Sequence, residues 1–291
     1  MAKNKEANIS LEPGDRPVKH GWLWTLGFTV LALFFIFPIF EVLMNSLKTT
    51  SAIGGTNTFQ LPAKDTFVGL ANFVQGIADT NFWSAFGNTV LITVLSVFVI
   101  ILCTSMCGWY IARVNSKGTK LIYFLYAFSM VIPFQMVMYT LAYVAQNLNL
   151  TNPLGLVPVY LGFGAGLATF MFVGFAKSIP LEIEEAAMID GCGACGIFFR
   201  IVVPIMKPTY ITVAILEAMW IWNDYLLPYL VLDSNYKTVP IAIQFLQTSH
   251  GQVEWGPMMA IIILAIIPII IFYAICQKYI IGGVVAGAVK G

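Results

Sequence analysis

Charge is what this chain has least of. Lys, Arg, Asp and Glu make up 10% of its 291 residues, while 59% are hydrophobic and mean hydropathy is +0.83. Soluble domains carry about 25% charged residues, so an ordinary soluble fold is excluded. Histidine is nearly missing, with His20 and His250 the only two. A structural zinc takes four ligands, and the C-x-x-C pair Cys192 and Cys195 lies apart from both histidines, which fall on opposite sides of the expected membrane. No metal site is expected, and the five cysteines read as small residues that let helices approach. No nucleophile is paired with a base, which argues against an intramembrane hydrolase. No G-x-x-x-x-G-K-[ST] loop is present to cradle phosphates, so the chain is not expected to be an ATPase or any other enzyme. With a net charge of +1 and no basic run, it offers nothing to nucleic acid.

What the chain has in quantity is long apolar runs. Residues 21–40, 80–112, 121–176 and 255–277 carry no charge at all. A spanning helix needs roughly 20 apolar residues, so the first, second and last runs each predict one span. The 121–176 run predicts two, because QNLNLTNPLG at 146–155 has the composition of a turn. A further segment, Thr209–Leu232, contains Glu217 and Asp224 but is otherwise long enough. The expectation is an all-α integral membrane protein with six transmembrane helices.

Basic residues set its orientation. An even number of spans puts both termini on one side. If that side is the cytoplasm, it holds Lys3, Lys5, Arg16, Lys19, Arg113, Lys117, Lys120, Lys177, Arg200, Lys207, Lys278 and Lys290; the far side holds Lys48, Lys64 and Lys237. Both termini are therefore predicted to be cytoplasmic. The first span has a basic flank but too long an apolar part and no A-x-A-like site for a signal peptide, and reads as an uncleaved anchor. Glu41 is expected at headgroup level and Asn88 as a polar contact between helices.

One stretch breaks the apolar pattern: EEAAMIDGCGACGIFFRIVVP at 184–204. Pro180 suits the first turn of a helix. Glu182, Glu184 and Glu185 lie where negative charge meets the positive end of the helix dipole. Ala186, Ala187 and Met188 favour helix, and Gly191 and Gly193 stop it. A second short helix is predicted over about 197–203, ending at Pro204. A short helix with acids at its start and small residues on one side suits docking into a groove of another protein; the plainer alternative is a solvated loop.

Glu185-Ala186-Ala187, Gly191 six residues on, then Ile201-x-Val203-Pro204 resemble the EAA loop that marks the membrane-spanning subunits of binding-protein-dependent ABC importers. The family has Leu where this chain has Val203. NFWSAFGNTVLIT (81–93), SMVIPFQMVMYTL (129–141), IWNDYLLPYLVL (221–232) and QKYIIGGVVAGAVKG (277–291) extend the likeness to the carbohydrate branch, in particular the shorter, six-span permease of maltose and multiple-sugar systems. The resemblance implies a type I ABC importer transmembrane domain (MetI-like) in a bacterial or archaeal cell membrane. Its expected organisation is an N-terminal tail at 1–20, a first helix at 21–45, a five-helix core at 82–278 with a coupling loop at 178–204, and a C-terminal tail at 279–291. By the same resemblance, Glu184, Glu185, Ala186, Ala187, Asp190, Gly191 and Pro204 couple to the ATPase. The implied partners are a second, different permease, two ATP-binding subunits that hold ATP and Mg, and an extracytoplasmic sugar-binding protein. The chain itself is expected to bind no cofactor. Its tail either reaches the ATPase dimer or is a glycine-rich end without a role.

The substrate path is read from polar and aromatic groups inside the apolar segments. Acids within spans are costly and face protein or water. Glu217 and Asp224, seven residues apart, are predicted to share one face of a helix. With Trp220, Asn223 and Tyr225 they combine hydrogen-bonding groups and aromatic rings, the chemistry that binds sugars. Gln135, beside a break expected at Pro133, could add to them. Alternatively, Glu217 and Asp224 bind the neighbouring permease or cap backbone, and the partner permease contacts the sugar. Two further readings stay open: an ABC permease for a non-sugar solute, or an ion-coupled secondary transporter with Glu41, Glu217 and Asp224 as relays.

Overall fold

A chain in lipid must pair every backbone N–H and C=O internally, which leaves helices or a closed barrel. The structure, a computed structural model, describes residues 21–55, 58–248 and 253–288, with the backbone alone at 278 and 280–288. It takes the helical solution: among the described residues there is no strand, only an isolated bridge between Lys48 and Phe67. The expected tail at 1–20, with Lys3, Lys5, Arg16, Lys19 and His20, lies outside the described residues, as do His250, Lys290 and the side chains of the expected C-terminal tail apart from Tyr279.

In chain order the helices are α1 (Gly21–Asn45), α2 (Thr50–Ile53), α3 (Ala71–Thr80), α4 (Phe82–Arg113), α5 (Lys117–Ser129), α6 (Phe134–Asn147) and α7 (Leu156–Ala176). Then follow α8 (Leu181–Ile189), α9 (Ala194–Ile197), a π turn over Phe198–Val202, α10 (Val203–Ile205), α11 (Lys207–Asn223), α12 (Leu226–Val231), α13 (Val239–Thr248) and α14 (Trp255–Ala288). Among the described residues, four helices are long and apolar enough to cross a membrane: α1, α4, α7 and the Trp255–Gln277 part of α14. Two bent pairs, α5 with α6 at 105° and the 194–205 stretch with α11 at 76°, bring the number to six when each counts as one crossing.

The breaks have local causes. Arg113 ends α4, and Ser116 starts α5 with a capping box, its Oγ accepting from the Thr119 N–H while Thr119 Oγ1 accepts from the Ser116 N–H, both at 3.1 Å. Pro133, which has no N–H to continue a helix, caps α6 in extended geometry and marks the sharp bend. The Asn-rich turn after α6 closes through Asn149 at φ 55° and Asn152, whose Oδ1 accepts from the Gly155 N–H at 2.9 Å.

The expectation of one continuous helical segment over Thr209–Leu232 needs correction. α11 ends at Asn223 because Asp224 turns to extended backbone (φ −74°, ψ 121°) and caps the next short helix, its Oδ1 accepting from the Leu227 N–H at 3.3 Å. Asp224 is thus beyond the helix, and it does not continue a helical carboxylate face from Glu217.

α4 and α7 form the most extensive helix pair. Gly108 makes it possible, since a Cβ there would come within 2.8 Å of Phe172 Cβ and 3.2 Å of the Val173 backbone. Small residues at such crossings let backbones approach in lipid. Ile92, Ile100, Tyr160, Phe172, Val202 and Ile221 fill the surrounding core. The bundle has two distinct ends. At one, the cap end, Phe82, Val239, Leu246 and Ile261 form a second apolar cluster with α3 and α13. At the other, the loop end, sit α8 to α10. α1 stands apart against α14, its membrane window wholly unburied within the chain, as suits a helix facing lipid or another subunit. On it Glu41 lies one turn before Asn45, whose Nδ2 reaches it at 3.5 Å. Asn88 donates to the Lys237 carbonyl at 3.0 Å, so its partner is the connection leading into α13 rather than a facing helix.

Candidate functional site

At the loop end, α8 ends as its glycine predicts. Gly191 has φ +83°, the left-handed region that disfavours side chains, and the Gly191 N–H donates to the Met188 carbonyl at 3.0 Å and the Cys192 N–H to the Ala187 carbonyl at 2.9 Å. These two bonds close a glycine-terminated helix end. The chain then returns toward α11 through α9, which starts at Ala194 rather than about 197, and passes through the π turn before Pro204. Pro204 supplies no N–H for the regular ladder, and π turns absorb such interruptions.

α8 has two faces. Glu184 and Ala187, one turn apart, are buried. Glu185, Ala186 and Asp190 are exposed, together with Leu181, Ile183, Met188 and Ile189, the last 86% exposed. Phe199, in the returning limb, is exposed as well, and so is Pro204. The outcome is an outer surface that mixes apolar side chains with three exposed carboxylates, Glu182, Glu185 and Asp190.

Glu184 does not share that surface. It is 1% exposed and accepts hydrogen bonds from Arg113 Nε at 2.9 Å and Nη2 at 2.7 Å on Oε1, and from Trp109 Nε1 at 3.1 Å on Oε2. Arg113 Nη2 also donates to the Ile179 carbonyl at 3.0 Å. Glu184, expected among the coupling residues, is therefore not on the outer face of the helix: both its oxygens are spent inside the chain. Arg113 and Trp109 were not singled out from sequence. Their spacing, four residues apart at the end of an apolar span, is a weak signal without knowledge of what packs there.

The polar groups of the spans divide into separate places. Glu217, 3% exposed, sits on α11 against α7 where Gly164 leaves room; its Oε2 has no hydrogen-bond partner among the described residues. It lines a cavity of about 300 Å³ with Trp220, Met130, Phe163 and Leu167. Trp220 packs edge-on to Tyr160 at 5.5 Å, and Tyr160 donates from its hydroxyl to Asp224 Oδ2 at 3.0 Å. Asp224 therefore orients Tyr160, which holds Trp220. Tyr160 went unnoticed in the sequence because it is one aromatic residue in an apolar helix.

Asn223 and Tyr225 line a different cavity of about 410 Å³, toward α13 and α14. Asn223 Nδ2 also folds back onto the Met219 carbonyl at 2.7 Å, and Tyr225 stacks on Tyr229 at 5.1 Å. Gln135 is exposed in the first turn of α6 and does not line the Glu217 cavity. A larger cavity, about 530 Å³ between α4, α11 and α14, is walled by residues such as Val94, Phe98, Met219, Pro268 and Phe272. It offers almost nothing to orient a polar solute. Among the described residues, no group of three or more His, Cys, Asp and Glu side chains could hold a metal ion.

Residues 104–284 match the family described as "Binding-protein-dependent transport system inner membrane component". Over 262 residues the chain is 39% identical to the "Probable starch degradation products transport system permease protein" of Thermoanaerobacterium thermosulfurigenes, covering 90% of this chain and 94% of that protein. It is 34% identical over 281 residues to the multiple sugar-binding transport system permease protein of Streptococcus mutans, covering 95% and 99%. It is 33% identical over 272 residues to the arabinooligosaccharides transport system permease protein of Halalkalibacterium halodurans, covering 93% and 96%. In fold it is similar to a chain of a bacterial ABC transporter that imports the acidic polysaccharide alginate, with a TM-score of 0.75 at 23% identity, covering 89% and 95%.

Proposed function

The chain belongs to the family of binding-protein-dependent transport system inner membrane components, and from that premise we propose that α8 is the surface through which ATP-binding subunits drive it as a carbohydrate permease. The single observation that carries this reading is the geometry of α8, a short helix whose exposed face mixes apolar side chains with carboxylates, Glu185 among them, ended by Gly191 at φ +83°. Such a helix fits a groove in a partner. Glu185, Ala186, Asp190, Gly191 and Pro204, all exposed, supply the contact, and Glu184 and Ala187 hold the helix from behind. The chain has no phosphate-binding loop, so ATP and Mg are held by two partner subunits and this chain binds no cofactor of its own. On this reading the loop end faces the cytoplasm, and the excess of basic residues on that side supports cytoplasmic termini.

The chain lines half of the path, with a second, different permease supplying the other half and an extracytoplasmic binding protein delivering the solute. The three relatives above are named as permeases of transport systems for starch degradation products, multiple sugars and arabino-oligosaccharides, which supports an oligosaccharide. Within this chain, Glu217 and Trp220 form the best-built solute contact, a carboxyl group and an indole that line one cavity.

Purification of the tagged chain, co-expressed with neighbouring transport genes, tests the reading. Wild type should bring down a second permease and an ATP-binding subunit, and Glu185→Lys should lose the ATP-binding subunit while keeping the permease. A chain that purifies alone, or keeps every partner despite the substitution, contradicts it.

A further inference from the structure

Helix α8 is not hinged to the bundle by its flanking loops alone. Three side-chain groups from the last turns of α4 and the start of the loop are locked together behind it. Arg113 grips Glu184 Oε1 with two nitrogens, at 2.9 and 2.7 Å, and reaches back at 3.0 Å to the carbonyl of Ile179, just before α8 begins. A forked, charge-assisted contact fixes orientation as well as distance. Trp109, one turn earlier on α4, takes the other oxygen of Glu184 at 3.1 Å, and its ring lies 5.5 Å from Phe198 in the π turn. Both limbs of the loop, outgoing and returning, are thereby tied to the same two turns of α4.

α4 continues from there as a single helix of 32 residues, about 48 Å long at 1.5 Å per residue. Its far end is tied too. Asn88 donates to the Lys237 carbonyl at 3.0 Å, and Thr89 Oγ1 accepts from the Val239 N–H at 2.9 Å, where α13 begins. A rigid element bonded at both ends is a physical route for displacement between distant sites.

We propose that Glu184, Arg113 and Trp109 form a strut that makes α8 and α4 move as one body, carrying the displacement of the docking helix along α4 to the cap end. Glu184 is a positioning residue in this scheme and touches no partner subunit. The inference rests on the reading of α8 as the docking surface for ATP-binding subunits.

Spin labels test it directly. Glu182, exposed on α8, and Leu91, exposed on α4, are each changed to cysteine in a chain otherwise cleared of cysteine, and the co-purified complex is measured by double electron–electron resonance. The two states compared are nucleotide-free and ATP–vanadate-trapped. The strut predicts one narrow distance that stays within about 2 Å between states, the scale of ordinary helix shifts at interfaces. Glu184→Gln keeps the side-chain shape but sets an N–H donor against the guanidinium or the indole. It should broaden the distance and make it depend on nucleotide, while the ATP-binding subunit still co-purifies. Trp109→Phe, which keeps a ring against Phe198 and removes only the N–H, should broaden it less.

A wild-type distance that changes between states with the ATP-binding subunit bound overturns the strut. So does release of that subunit by Glu184→Gln, because Glu184 would then act on docking itself. Absence of the subunit from the wild-type complex is a different failure, seen before any label is attached, and it removes the docking reading together with the strut.

Discussion

Glu184 and Glu185 are adjacent acids with opposite surroundings, and substitutions should separate them. Removing one partner of a buried ion pair costs about 3–5 kcal/mol because the other charge is stranded. Glu184→Ala should therefore lower the thermal midpoint of the purified chain markedly, and Glu184→Ala combined with Arg113→Ala should lower it by less than the sum of the two. Glu185 is exposed, and surface substitutions usually stay within about 0.5 kcal/mol. Glu185→Lys should leave the midpoint unchanged while abolishing capture of the ATP-binding subunit. Equal thermal effects of the two substitutions would contradict the two-faced description of α8. In the membrane, Glu217→Gln is nearly isosteric and keeps one acceptor, so the chain should insert normally. Loss of a hydrogen bond to a solute hydroxyl is worth about 0.5–1.5 kcal/mol, or up to about tenfold in the KM for uptake. Uptake unchanged by Glu217→Gln would remove that carboxyl from the path.

Among the helices, the regular elements were legible and the irregular ones were not. Uncharged runs of span length located α1, α4, α7 and α14, because burial in lipid imposes both length and composition. Pro133, Asn149 and Gly191 announced their own turns, since each acts through its own backbone. The end of α11 at Asp224 was not announced: Asp224 lies in an otherwise apolar run of span length, and its carboxylate is shared with Tyr160, 64 residues away in sequence. The burial of Glu184 was hidden for the same reason: its partners Arg113 and Trp109 are supplied by another helix. Sequence could group Glu217, Trp220, Asn223, Asp224 and Tyr225 by proximity along the chain, but only the path of the backbone divides them between cavities. Packing of α4 on α7 gives a test at this scale. Gly108→Leu forces a branched side chain into the Phe172 backbone, and overpacking of this kind costs about 1–3 kcal/mol. Loss of thermal stability in detergent should follow, and an unchanged midpoint would mean that the two helices are not held in close contact there.

At the largest scale, the described residues form a helical bundle with α8 to α10 at one end and α3 and α13 at the other. That polarity predicts where reagents reach it. A cysteine placed at Glu185 should react with a membrane-impermeant maleimide only from the cytoplasmic side, and one at the exposed Asp79, near the cap end, only from outside. The reverse labelling would invert the orientation. The central claim is that ATP hydrolysed by partner subunits drives carbohydrate movement through this chain. Its most direct test is the ATP hydrolysis rate of the co-purified complex in proteoliposomes, with and without its binding protein loaded with malto- or arabino-oligosaccharides. The account predicts a rate that rises with the loaded binding protein, is indifferent to collapse of proton and sodium gradients, and loses its response in Glu185→Lys. Uptake that continues without ATP and stops when the ion gradient is collapsed would contradict it.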